Sequence, residues 1–136
     1  WVSVYWENGV LPDVLTAEWC LEKRDEISRR FLGEDRVIPE GAEAYEVELG
    51  GKLAVCLEGL WENTQSWHGG PFRSYALVDV DQERLYFLDA GVFAPNKTKA
   101  LHLRQLDGLV RTFRVDPFFK KKWIDSGPTT REKVRR

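Results

Sequence analysis

Tyr45-Glu46-Val47-Glu48-Leu49-Gly50-Gly51-Lys52-Leu53-Ala54-Val55-Cys56-Leu57 is the stretch that decides the fold class of this chain. Apolar residues alternate with acidic ones before the glycine pair, and Leu53, Val55 and Leu57 resume the alternation after it. A period of two sends side chains to opposite faces of a strand, and a two-glycine connection suits the tight turn between antiparallel strands. The stretch reads as a β-hairpin whose second strand ends at Trp61. A second hairpin runs from Phe72 to Val80 and from Arg84 to Ala94, turning through Asp81-Gln82-Glu83. Its strands are apolar on both faces, with Ala76, Leu77 and Val78 in one and Leu85 to Leu88 in the other. Strands of that kind belong in the middle of a sheet covered on both sides.

Outward from the hairpins the periodicity changes. Trp1 to Trp6 alternates as a strand, with Val2, Val4 and Trp6 on one face, and Glu7-Asn8-Gly9 turns the chain. Pro12 and Asp13 lead into a helix reaching about Leu32, with Thr16 as N-cap, Glu18 in the first turn and Gly33 at the left-handed end position. Cys20, Ile27 and Phe31, with Trp19 alongside, form its buried stripe, while Asp25 with Arg29 and Glu26 with Arg30 are i,i+4 pairs on the open side. Gly33 to Ala44, containing Pro39 and Gly41, reads as a polar connection. Pro95 stops the last strand, Asn96 or Thr98 caps a closing helix, and Leu103, Leu106, Val110 and Phe113 recur at helical spacing. The order β-α-β-β-β-β-α predicts an α+β fold, an antiparallel sheet of about five strands with two flanking helices.

The 136 residues suit one hydrophobic core. We read residues 1–115 as a single domain and 116–136 as a basic C-terminal extension. From Pro117 onward seven Lys and Arg face two acids, so a net −2 chain divides into a −7 body and a +5 tail. Phe118, Phe119 and Trp123 are expected to fold back, and the tail to offer contact to an anionic partner. With a net charge of −2 the whole chain is not an obvious nucleic-acid binder. Without Met, and beginning at Trp1, the chain reads as a piece of a longer product, and it carries no signal peptide, lipidated cysteine or transmembrane run. Cys20 and Cys56 either form one bond between helix and sheet or stand as two buried thiols.

Between the hairpins lies Trp61-Glu62-Asn63-Thr64-Gln65-Ser66-Trp67-His68-Gly69-Gly70-Pro71-Phe72. Two Trp, one of two His and a Gly-Gly-Pro in one connection read either as a binding loop, with indole faces open to a sugar ring or an apolar ligand, or as a loop pinned to the sheet. The candidate ligand-binding residues are Trp61, Trp67, His68, Phe72, Arg73 and Tyr75, the last two on the adjoining strand. No motif places His68 in a Ser-His-acid site, and His102 reads as a boundary residue. Asp79-Val80-Asp81-Gln82-Glu83 lacks the glycine and the bidentate Glu of a calcium loop and reads as a turn. No metal or cofactor is expected.

Several of these segments carry a likeness. The helix with Lys23-Arg24-Asp25, the hairpin ending in Glu58-Gly59-Leu60-Trp61-Glu62, Gly69-Gly70-Pro71-Phe72 before Ser74-Tyr75, then Gly91-Val92-Phe93-Ala94-Pro95 and Leu103-Arg104-Gln105-Leu106-Asp107 span most of Trp1 to Val115. In these the chain resembles the Bacteroidota lipoprotein family catalogued as domain of unknown function 4837, in its C-terminal part. The resemblance implies a cell-envelope protein whose lipid anchor lies outside this chain, and it carries over no catalytic residue. More loosely, the closing strand-helix pattern is similar to the α/β/α sandwich of photosystem accessory proteins and nuclear import factors.

Three functions follow as expectations. The first is a non-catalytic binding or accessory module for an envelope protein or glycan, using the aromatic loop. The second is a small hydrolase using His68 with a carboxylate such as Glu62 or Asp89. The third is a purely structural domain of a larger lipoprotein.

Overall fold

The computed structural model describes residues 1–9, 15–31, 33, 35–95 and 97–115. Its elements follow the order read from the pattern: β1 (Val2–Asn8), α1 (Ala17–Phe31), β2 (Arg36–Leu49), β3 (Lys52–Asn63), β4 (His68–Asp79), β5 (Arg84–Gly91) and α2 (Lys99–Val110). The five strands make one antiparallel sheet in the order β1-β5-β4-β3-β2. The Gly50-Gly51 pair turns as expected, with φ of +62° and +79°, values that suit glycine and match the twist of a tight hairpin.

The sheet's two faces carry separate cores. On one, Val55, Leu57, Trp61, Phe72, Ala76, Leu85 and Phe87 pack with Cys20 and Ile27 of α1. On the other, Ala54, Cys56, Tyr75, Leu77, Leu88 and Ala90 pack with Val110 and Leu106 of α2. Cys20 and Cys56 are therefore both free and buried, one on each face, and the sheet between them rules out the disulfide alternative. β5 is buried along nearly its whole length and β4 over most of its second half, with helices on both sides, as the doubly apolar pattern required.

Several expectations need correcting. The connection from Gly33 to Ala44 is largely strand: β2 starts at Arg36, pairs Ile38 with Leu60, then slips register and resumes at Glu43 opposite Glu58. Residues 39–42 form the bulge, and Gly41 at φ +81° takes the bend. The segment after Trp61 also shrinks: β3 runs to Asn63 and β4 begins at His68, leaving a four-residue turn. β5 ends at Gly91 rather than Ala94.

α1 begins behind Thr16, whose Oγ1 accepts from the Trp19 N–H at 3.2 Å, and Gly33 has the left-handed φ expected after it. Pro12, Asp13 and Leu32 lie outside the described residues, as do Asn96 and the tail with Phe118, Phe119 and Trp123. The buried stripe differs: Phe31 is exposed, and Arg24 and Ser28 take buried positions beside Cys20 and Ile27. The expected i,i+4 pairs do not form either. Asp25 instead accepts from the Val37 N–H at 2.7 Å, and Glu26 pairs with Lys23. In α2 the stripe holds through Val110, while Phe113 packs on Tyr86 from beyond the helix end.

Candidate functional site

At one end of the sheet the β3–β4 hairpin meets the N-terminus of α2. Asn63, buried, is the pin. Its carbonyl oxygen accepts from the Gln65 and Ser66 N–H groups at 3.1 and 3.0 Å, and its amide donates to the Gly33 carbonyl and to Asp35 at 2.7 Å each. The turn is thereby shaped from within and tied to the segment between α1 and β2.

On this base Trp67 projects into solvent at 92% exposure, with a left-handed φ of +56°. Glycine or asparagine holds such a backbone cheaply, whereas a bulky residue there costs on the order of 1–3 kcal/mol. His68 follows, half-buried, its Nδ1 3.3 Å from the Ser66 carbonyl and its Nε2 3.5 Å from the Ser66 hydroxyl. The imidazole packs edge-on to Trp61 at 5.5 Å and against Phe93 at 4.9 Å, and Trp61 in turn meets Trp1 edge-on at 5.1 Å. Gly69 and Gly70 let these parts close up: a Cβ on Gly70 would stand 1.9 Å from the Val92 carbonyl oxygen.

A cleft of about 420 Å³ opens beside the turn, lined by Ile38, Leu60, Trp61, Trp67, His68 and Lys99, with polar groups from Glu62 to Thr64. Glu62 is occupied by Arg36 at 2.8 Å, whereas Lys99 has no carboxylate partner among the described residues. A second hollow, of about 600 Å³, lies between Trp1, Phe93 and the exposed His102.

The six residues expected at one surface do not gather there. Trp67 and His68 flank the cleft, and Trp61 forms its wall while its ring is buried. Phe72 lies wholly in the α1-side core, where the Arg24 guanidinium sits 4.2 Å over its ring. Arg73 and Tyr75 face the α2 side, because β4 side chains alternate. There Asp107 accepts from Tyr75 Oη, from Arg73 at 3.3 Å and from Arg111 at 2.9 Å, and Arg73 also pairs with Glu58.

These contacts set the protonation states. Burial would raise the Asp107 carboxyl, but hydrogen bonds from Tyr75, Arg111 and Arg73 outweigh it and hold the pKa below the usual value. Burial and the bond to Asp107 push the Tyr75 phenol well above its usual range. Tyr45 is raised by its hydrogen bond with Cys56 and by burial.

Of the carboxylates named for a hydrolase, Glu62 lines the cleft but is paired with Arg36, and Asp89 stands elsewhere. Asp89 is buried on the α1 side, where Arg24 binds it through Nε at 3.4 Å and Nη2 at 3.2 Å and the Ser74 hydroxyl donates to it. Sequence reasoning missed this buried group. The available signal was spacing: Cys20, Arg24 and Ile27 lie on one helical stripe. Among the described residues no three His, Cys, Asp or Glu are grouped to hold a metal ion.

No curated protein and no solved structure matches this chain. A family model does match it, over residues 1–112, which takes in every strand and both helices. The chain belongs to the family described as Domain of unknown function (DUF4837).

Proposed function

We propose that this chain is a non-catalytic binding module of the cell envelope, and that the β3–β4 hairpin tip is its contact surface for a glycan. The observation that carries the reading is Trp67. Leaving it in water forgoes the roughly 1.5–3 kcal/mol that burying a large apolar side chain returns. Its backbone is strained as well, while Asn63 fixes the turn beneath it. Two stability losses at one rigid, solvent-facing position are what a ligand contact would explain.

The indole offers a flat face for stacking on a sugar ring, and His68, Lys99 and the polar wall of the cleft offer hydrogen-bonding groups around it. Trp61 supports the wall, and Phe72 supports the strand beneath. The placement in the envelope, lipid-anchored through a segment outside this chain, rests on the family resemblance alone.

The test is tryptophan fluorescence titration against a panel of envelope oligosaccharides, with wild type and Trp67→Ala. We expect at least one saturable ligand and a loss of about tenfold or more in the variant, as for a truncated aromatic anchor. Because the side chain is exposed, the fold should be unchanged by circular dichroism. Equal affinity in both proteins, or no ligand at all in the panel, would end the reading.

A further inference from the structure

The two edges of the sheet are built differently. β2 carries Pro39, the bulge at residues 39–42 and the acids Glu40, Glu43, Glu46 and Glu48, all devices that keep a foreign strand from pairing with an open edge. β1 carries no proline, lysine or bulge, and its one acid, Glu7, is held by Lys23 at 2.9 Å.

The direction of its free hydrogen-bonding groups follows from the ladder. Trp1 exchanges both bonds with Gly91, and the Gly9 N–H donates to Glu83, so the odd-numbered residues bond β5. The N–H and C=O groups of Val2, Val4, Trp6 and Asn8 therefore point outward, and among the described residues no strand pairs with them. Beside this edge a cleft of about 360 Å³ lies between β1 and α1, walled by Tyr5, Trp6, Ile27, Phe31 and Phe87. Arg30 lines it, its guanidinium 5.0 Å over the Phe31 ring. The acids expected for Arg29 and Arg30 are engaged elsewhere, and neither arginine has a carboxylate partner among the described residues.

We infer that β1 is the docking edge for an extended segment of another polypeptide, added as a sixth strand and carrying apolar and acidic residues by turns along the row of side chains that faces α1. Its backbone takes the outward groups of Val4 and Trp6, and on that one row its apolar side chains enter the cleft over Phe31 and Ile27 while its acids meet Arg30. A second copy of this chain fits less well. It would bring the same strand, whose only acid Lys23 already holds. This surface is independent of the hairpin tip.

The test uses the full chain and a fluorescein-labelled ten-residue peptide with threonine at every second position and valine and glutamate by turns between, set against its counterpart with lysine for glutamate, followed by anisotropy. We expect saturable binding of the acidic peptide alone, with slowed hydrogen exchange at the Val4 and Trp6 amides. Val4→Pro removes an outward N–H without touching the β5 ladder and should weaken binding about tenfold. Arg30→Glu, at an exposed position, should do the same by charge and covers the case in which the proline variant misfolds. Trp67→Ala should bind the peptide normally. Binding that ignores either substitution, equal or no binding of the two peptides, or a wild-type dimer that Val4→Pro dissociates would overturn the inference.

Discussion

Arg24 and Asp89 form a buried contact that is costly to disturb. Both are at most 2% exposed, and Ser74 adds a third polar group to the same buried spot. Taking two charges out of water is repaid only while each faces the other. Arg24→Met should therefore cost about 3–5 kcal/mol by leaving the Asp89 carboxylate unpaired. Adding Asp89→Leu to it should recover most of that loss, and urea unfolding of the single and double variants measures both. A double variant as unstable as the single would mean the arginine acts through packing on Phe72 instead. Arg24 also shows why part of the structure was hidden in the sequence: a charge on a helix stripe is ordinarily solvated, and only the partner four strands later reverses that expectation.

Among the elements, the hairpins and both helices were legible because their periods of two and 3.6 are clean and glycine or proline marks their ends. The first part of β2, up to Ala44, was not, since an edge strand with one open face tolerates the proline and acids that elsewhere signal a loop. The aromatic connection was recognised but drawn too long, because Gly69 and Gly70 resemble loop residues. Here they serve close packing inside β4. The two uses of glycine predict opposite effects. Gly70→Ala drives a methyl into the Val92 carbonyl and should cost about 1–3 kcal/mol. Gly108→Ala, exposed in α2 with nothing within 4 Å of the added methyl, should stabilise by about 0.5–1 kcal/mol. Thermal melts of the pair would check the signs, and a harmless Gly70→Ala would mean the Val92 segment gives way freely.

At the scale of the whole molecule, stability should fall on both sides of neutrality. The Asp107 pKa is depressed in the folded state, so its contribution is complete above the unfolded value near pH 4 and is lost as pH falls through the lower folded one. Burial pushes the Cys20 thiol up to about 11 and raises Cys56 as well, and Tyr75 is raised further. Raised groups contribute fully below their unfolded pKa, so the alkaline decline should begin near pH 8.5 with the thiols and steepen above about pH 10 with the tyrosines. Urea midpoints from pH 3 to 11 would trace both limbs. Tyr75→Phe should flatten the upper one, and a profile level to pH 11 would contradict these assignments.

The two thiols on opposite faces of the sheet have one more consequence. Each is sealed by a different helix, so a thiol reagent reaches Cys20 only when the α1 side opens and Cys56 only when the α2 side does. The native protein thus carries two separate clocks. If the two modification rates differ, the molecule breathes one layer at a time; if they coincide, both layers open together.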